Sequence, residues 1–200
     1  MTNSAMYHEG NRRLQDQFES RPIADRLETF TRSQFTADDR AFIESASYFF
    51  LATADAQGRP DCSFKGGMAG FVSVTGSSEL AFPDYDGNGM FKSLGNILVN
   101  VEVGMLFIAM HGKPQRLRVN GTATVGREDP LLARTVGAQL VVRVAARSIF
   151  PNCPRYIPTM ELIDPSIYAP RPGCDPPEPA WKDFADFRDC IHPRQPTFKG

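Results

Sequence analysis

The chain has 200 residues, with 22 lysines and arginines against 23 aspartates and glutamates, and a net charge of −1. This length suits one domain with a real core, and so balanced a charge excludes a general attraction to nucleic acid or to an anionic membrane surface. No apolar run approaches the roughly 20 residues that cross a bilayer. Residues Met1–Gly10 also lack the pattern of a secretory signal, so we expect a cytoplasmic protein.

The N-terminal segment, residues 1–35, is predicted to be a helical extension. Its apolar residues recur at the three- and four-residue spacing that places them on one side of a helix: Leu14, Phe18, Ile23, Leu27 and Phe30. Thr36 then starts a further helix, because it offers a capping hydroxyl and is followed by carboxylates in the first turn.

From Tyr48 the apolar pattern changes to a period of two, which is typical of strands. Strands are predicted at residues 48–54, 59–65, 71–75, 79–82, 103–110, 115–125 and 140–149, with helices near 88–99 and 129–136. Short strands separated by frequent turns favour a mainly β fold with peripheral helices. We therefore expect residues 36–150 to form a closed antiparallel barrel.

The C-terminal segment, residues 151–200, has a different composition. Eleven of the sixteen prolines lie from Pro151 onward, which argues against long regular elements. Residues 181–187 are the exception, since they could form one short amphipathic helix. Such a tail buries little against itself, so we expect it to pack on the barrel or on a partner subunit.

The cysteines and histidines do not predict a metal site. The cysteines show none of the spacings typical of metal ligands, and the histidines are scattered: Cys62, Cys153, Cys174 and Cys190, with His8, His111 and His192. In a reducing compartment the four cysteines are expected to be free thiols.

Polar residues mark one face of two predicted strands. Alternation places Arg59, Asp61, Ser63 and Lys65 on one face of the strand at 59–65, and Pro60, Cys62 and Phe64 on the other. It also places Arg116, Arg118 and Asn120 opposite Leu117 and Val119. We expect the apolar sets to fill the barrel and the polar sets to line an outer groove.

Lys65, Lys92 and Arg116 together predict a phosphate site. Cations are not gathered on a half-buried surface for stability, whereas a phosphate accepts charge-assisted hydrogen bonds from them. Gly66-Gly67 would allow close approach of the backbone, and a helix starting at Asn88–Lys92 would offer free amides to an anion.

Four segments carry a resemblance to a known family: Phe50-Leu-Ala-Thr-Ala54, Ser63-Phe-Lys-Gly-Gly67, Asp86-Gly-Asn88 with Lys92-Ser93, and Gln115-Arg-Leu-Arg-Val-Asn-Gly121. In this order they resemble the pyridoxamine 5′-phosphate oxidase-like FMN-binding proteins over roughly residues 40–150. The Asn152-Cys-Pro-Arg-Tyr156 segment is similar to one subgroup of that family.

This resemblance implies a split β-barrel that forms a homodimer, with FMN in a groove between the subunits. Lys65, Lys92 and Ser93 would bind the FMN phosphate, with Gly66 beside them. Asp61, Cys62 and Ser63 would run along the isoalloxazine edge, while Asp84 and Asn88 would meet ribityl or ring atoms. Arg116 would face the flavin.

The resemblance also carries a departure that concerns the substrate. The vitamin B6 oxidase of this family grips its substrate phosphate with a C-terminal Arg-x-His-x-Arg segment, whereas this chain has Arg188, His192 and Arg194 at another spacing in a proline-broken tail. Pyridoxamine phosphate is therefore not the expected substrate.

Three function classes follow from these patterns, and no catalytic residue is assigned. The first is an FMN-dependent oxidoreductase acting on a small molecule with a nicotinamide donor or oxygen. The second is a flavin- or haem-binding protein for storage or sensing, and the third is an oligonucleotide-binding barrel, against which the acidic balance of charge counts. Cys153 and Arg155 either reach the partner's flavin or form a simple turn.

Overall fold

Seven antiparallel strands form the centre of the structure, a computed structural model that describes residues 6–191. The strands are β1 (Tyr48–Ala54), β2 (Pro60–Gly66), β3 (Ser73–Val74), β4 (Glu79–Tyr85), β5 (Glu102–Ala109), β6 (Gln115–Gly126) and β7 (Ala138–Pro151). They pair in the order β2-β1-β5-β6-β7-β4-β3. The mainly β fold predicted from the sequence is confirmed.

The sheet curls around its core, but strand pairing does not close it. The Phe49 ring of β1 lies 4.9 Å from that of Phe82 in β4 and 5.1 Å from that of Phe107 in β5. Because β1 and β4 are separated by three strands in the sheet order, these contacts require a strongly curved sheet. The closed barrel expected from the sequence is wrong in this respect, since β2 and β3 remain as two edges.

The described residues contain four α-helices: α1 (Glu9–Gln17), α2 (Arg21–Glu28), α3 (Ala37–Ser45) and α4 (Lys92–Val99). Of these, α3 and α4 pack against the sheet. The Thr36 hydroxyl accepts the backbone N–H of Asp39, so the predicted start of α3 is confirmed. α4 begins four residues later than the predicted Asn88. Gly89 and Phe91 adopt left-handed backbone conformations with φ of 74° and 47°, which a helix cannot include.

The other predicted helices are 3-10 turns, at Leu132–Arg134 and at Ala180–Asp183. The remaining tail is irregular, as its prolines predict. Gly137 holds the tail close to β7, since a Cβ atom there would lie 2.7 Å from Pro170 Cβ. The proposed division of the chain at residues 35 and 150 stays a prediction.

The outer face of β2 is apolar, opposite to the arrangement expected from the sequence. Lys65 pairs with the buried Phe49 and so points to the core side, whereas Phe64 pairs with Phe50 and points outward. Phe64 is 60% exposed and stacks on Tyr48 at a ring distance of 5.5 Å. Pro60, Cys62 and Phe64 therefore do not fill the barrel. Because β2 is an edge strand, its inward polar side chains reach the rim of the core.

The alternation predicted for β6 is confirmed. Leu117 and Val119 are buried, while Arg116 and Arg118 lie on the opposite face. Cross-strand pairing of Arg118 with Leu106, and of Leu106 with Phe50, places these arginines on the same sheet face as Phe64. Within one chain, Arg116 and Lys65 are thus on opposite faces of the sheet.

Within residues 6–191, no helix is both long enough and apolar enough to span a bilayer.

Candidate functional site

A wide cleft of about 2040 Å³ opens where β2, β4 and the start of α4 come together. Its barrel side includes Lys65 of β2, Asp84 of β4 and Ser93 of α4, with the loop at 86–91 between the last two. Its other side is formed by the C-terminal tail, from Tyr168 to Ile191. The cleft thus lies beside the free edge of the sheet and receives groups from the barrel and from the C-terminal tail.

The N-terminus of α4 carries no side-chain cap. Its cap position is Phe91, whose side chain cannot accept a hydrogen bond, so the first amides of the helix stay available. Ser93, in the first turn, is 3% exposed and lines the cleft. An uncapped helix start with a buried hydroxyl beside it is an arrangement that favours an anion.

A buried hydrogen bond fixes the direction of α4. Asn96 Nδ2 donates to Thr53 Oγ1 of β1 at 3.0 Å, and both residues are buried. One turn farther on, Asn100 Nδ2 donates to the backbone oxygen of Asp55 at 3.3 Å. Two amide side chains therefore tie the helix to β1 and to the turn after it.

Asp84 places a half-buried carboxyl in the cleft. Burial raises its pKa above the ordinary value, and the nearby charge of Asp86 adds to the rise. Two contacts lower the pKa of Asp84: the hydrogen bond from Gln139 Nε2 at 2.8 Å and the charge of Lys65. They do not cancel the effect of burial, so the pKa stays raised. The neighbouring Tyr85 has its pKa raised to about 12 by burial.

Half of the residues predicted to contact the cofactor line this cleft: Lys65, Gly66, Asp84, Asn88 and Ser93. The other half do not line it within one chain: Asp61, Cys62, Ser63, Lys92 and Arg116. Asp61 and Ser63 share the inward face of β2 with Lys65, Cys62 points outward, and Lys92 is exposed beside Ser93. Their assignment to a cofactor stays a prediction.

Two of the lining residues, Asn88 and Gly66, have structural roles within the chain. Asn88 Oδ1 accepts the backbone N–H of Met90 at 3.1 Å, so this side chain shapes its own loop. A Cβ atom on Gly66 would lie 2.8 Å from the Phe64 ring, and one on Gly67 would lie 2.6 Å from Phe71. The glycine pair therefore makes room for two aromatic rings, and its role in the close approach of a ligand stays a prediction.

Arg116 and Cys153 form a second polar group on the outer face of the sheet. The Arg116 guanidinium donates to the backbone oxygen of Cys153, while its Nε atom is buried without a partner. The backbone N–H of Arg155 and then its side chain lower the pKa of the exposed Cys153 thiol. This group lies away from the cleft of its own chain, and its contact with a flavin stays a prediction.

Several residues that shape the cleft were not predicted from the sequence. Gln139 holds the Asp84 carboxyl, and Lys182 of the tail forms an ion pair with Asp86 at 2.8 Å. Neither residue lies in a motif or a regular pattern, because their roles arise from contacts over 55 and 96 positions of sequence. For residues 6–191, no group of three His, Cys, Asp or Glu side chains is placed to hold a metal ion. His192 and Arg194 lie outside the described residues.

A comparison with models of protein families matches residues 35–163 to the family described as pyridoxamine 5′-phosphate oxidase. The match covers more than half of the chain, and it includes all seven strands and α4. The chain belongs to this family. No curated protein is similar enough to match it.

Several solved structures are similar to this chain at low sequence identity. HupZ from Group A Streptococcus is 18% identical, with 58% of this chain and 93% of that one covered and a TM-score of 0.47. An FMN-binding protein from Syntrophomonas wolfei is 10% identical, with 71% and 96% covered and a TM-score of 0.44. HutZ, the heme storage protein from Vibrio cholerae, is 16% identical, with 60% and 92% covered and a TM-score of 0.41.

The Asp84→Asn variant tests the electrostatics of the cleft. Because burial raises the pKa of Asp84 in the folded state, its contribution to stability is complete at low pH and is lost as pH rises through that pKa. The variant should therefore have a higher free energy of unfolding than the parent at neutral pH. Its stability should also depend less on pH between about 4 and 8.

Urea unfolding of both proteins across this range measures the difference. Asp164→Asn, at an exposed position of the tail, is the matched control and should follow the parent protein. Parallel stability curves for the parent and Asp84→Asn would show that burial does not shift the titration of this carboxyl.

Proposed function

We propose that this member of the pyridoxamine 5′-phosphate oxidase family binds FMN in the cleft and acts as an FMN-dependent oxidoreductase. The observation that carries the proposal is the uncapped N-terminus of α4, which lines the same cleft as Lys65 and Ser93. Helix amides, a hydroxyl and an ammonium group are the donors that a phosphate monoester prefers. The FMN phosphate would lie at this helix start.

The rest of the cleft suits the polar parts of the same cofactor. Asp84 and Gln139 present a carboxyl and an amide in the wall next to Lys65, where ribityl hydroxyls or ring atoms would accept and donate hydrogen bonds. Lys92, exposed in the first turn of α4, would add charge near the phosphate. When bound, FMN supplies the electron chemistry, and these side chains bind and orient it.

We further propose that the protein is a homodimer that joins through the outer face of β1 and β2. Phe64 is 60% exposed there and makes an edge contact with Phe50 at 5.9 Å, while the free edge of β2 pairs with no strand among the described residues. An exposed aromatic patch next to an unpaired strand edge is a feature that soluble proteins usually cover. A second copy would cover both.

The dimer would also explain the residues that one chain leaves outside the cleft. Cys62 and Arg116 lie on the same outer face as Phe64, so they would approach the cofactor only across the subunit interface. Arg116 is therefore assigned to the flavin bound by the second subunit.

The substrate is proposed to be a small molecule, with electrons from a nicotinamide donor or passing to oxygen. A cytoplasmic location is part of this proposal. The alternative is a flavin- or haem-binding protein without turnover. Among residues 6–191 no histidine lines the cleft, so the commonest axial ligand of haem is missing from the part of the site that the structure describes.

Reduction of the bound cofactor tests the proposed activity. Protein purified with excess FMN should retain flavin equimolar with the chain after gel filtration, and NADH or NADPH should bleach the flavin absorbance without oxygen. Retained flavin that only dithionite reduces would favour the binding role. A protein that retains no flavin, or one that shows a Soret band instead, would contradict the proposal.

The dimer interface is tested with Phe64→Asp, which places a carboxylate in the proposed contact. Burying an unpaired charge costs several kcal/mol, so the variant should sediment as a monomer where the parent sediments as a dimer. Ile163→Asp, at a tail position that is 86% exposed, should leave the dimer intact. A monomeric parent, or a dimeric Phe64→Asp variant, would place the interface elsewhere or exclude it.

A further inference from the structure

The C-terminal tail forms one complete side of the cleft. We define the strap as residues 168–191, whose cleft-facing members include Tyr168, Trp181 and Phe187. The cleft of about 2040 Å³ is larger than the roughly 300–1,000 Å³ typical of a site for one small molecule. It therefore has room for a second compound beside FMN, on the side that the strap forms.

Contacts at three places hold the strap against the barrel. Pro170 packs on Gly137, whose φ of 73° and close approach exclude a side chain. Arg171 Nη1 lies 4.0 Å from the sulfur of Met68. Lys182 Nζ forms an ion pair with Asp86 Oδ2 at 2.8 Å, and its side chain is only 12% exposed. The strap is thus tied to the loop that precedes α4.

The cleft side of the strap is aromatic and rigid. Trp181 and Phe187 make an edge contact at a ring distance of 5.8 Å and an angle of 86°. Pro176, Pro177 and Pro179 precede the tryptophan and also line the cleft, so its backbone has little freedom. A rigid aromatic wall is suited to a flat ring, because stacked rings gain energy without ordering a flexible side chain.

The charges of the strap disfavour an anionic group at this wall. Its cleft side carries the carboxylates Asp175 and Glu178. In the described part of the tail, Lys182 is the one cation on this side. It forms an ion pair with Asp86 at 2.8 Å and another with Glu178 at 3.2 Å. Among the described residues of the tail, a phosphate at this wall would meet two carboxylates and an ammonium group that is already engaged in ion pairs.

We propose that the strap is the substrate wall of the cleft and that Trp181 stacks on a planar aromatic substrate that carries no phosphate. The substrate would lie between this wall and the flavin ring. This inference rests on the proposed FMN site and adds the chemical class of the second ligand.

The chain offers a direct reporter for the test, because Trp181 is its single tryptophan. Binding of FMN in the cleft should quench the tryptophan fluorescence by energy transfer to the flavin. The FMN-loaded protein is then titrated with 1-naphthol and with 1-naphthyl phosphate, which differ only in the phosphate. Perturbation of the visible flavin absorption gives both dissociation constants.

We expect 1-naphthol to bind about tenfold more tightly than 1-naphthyl phosphate, because the carboxylates of the strap would repel the phosphate. Trp181→Ala should weaken 1-naphthol binding about tenfold, the upper range for one aromatic contact, with FMN affinity unchanged. Phe184→Ala is the matched control, since Phe184 lies on the same strap, is 56% exposed and does not line the cleft. It should bind 1-naphthol like the parent.

Other outcomes separate the two proposals. If FMN binds but leaves the tryptophan fluorescence unchanged, the strap does not face the flavin and the present inference is wrong, while the FMN site stands. The same conclusion follows if 1-naphthyl phosphate binds more tightly, or if Trp181→Ala binds 1-naphthol like the parent. If FMN does not bind at all, the proposed function fails, and the substrate wall with it.

Discussion

The hydrogen bond from Asn96 to Thr53 is the contact on which the candidate site depends most. It is buried, and α4 has few other polar ties to the sheet, so removing either partner would leave an unsatisfied group at a cost of about 1–3 kcal/mol. Leu94 and Ile97 add apolar packing on the same side of the helix. Together they fix α4 with its uncapped end at the cleft.

The curvature of the sheet determines where Lys65 and Asp84 lie in the cleft. Contacts of Phe49 with Phe82 bring β1 and β4 together around the core, although three strands separate them in the sheet. Lys65 lies on the edge strand next to β1, and Asp84 lies at the end of β4. The same aromatic packing that stabilises the fold therefore brings a lysine and a carboxyl to the barrel side of one cleft.

The positions of the strands and helices were predicted better from the sequence than the faces that they turn to the core. Alternation located every long strand, and the Thr36 cap located α3, because both signals depend on neighbouring residues. Alternation divides a strand into two faces without saying which one meets the core, and for β2 the apolar Phe64 face turned out to be the outer one. The start of α4 was misplaced because Phe91 adopts a left-handed conformation that is uncommon for its type.

The parts of the site that could not be predicted arise from distant contacts. Gln139 reaches Asp84 and Lys182 reaches Asp86 through pairings that no local pattern records. The proline-rich composition of the tail correctly indicated irregular structure, and it gave no hint that Trp181 would line the cleft. The family match covers residues 35–163, which include the barrel side of the cleft. The strap lies beyond residue 163, so the match carries no information about it.

The proposed binding of the FMN phosphate at the start of α4 is tested by the affinities of the protein for FMN and for riboflavin. These flavins differ only in the phosphate, so the ratio of their dissociation constants isolates its contribution. We expect the parent protein to prefer FMN by about tenfold or more. Lys65→Ala should reduce this preference, whereas Lys113→Ala, in the exposed β5–β6 loop, should preserve it. Equal affinities for both flavins in the parent protein would contradict the account.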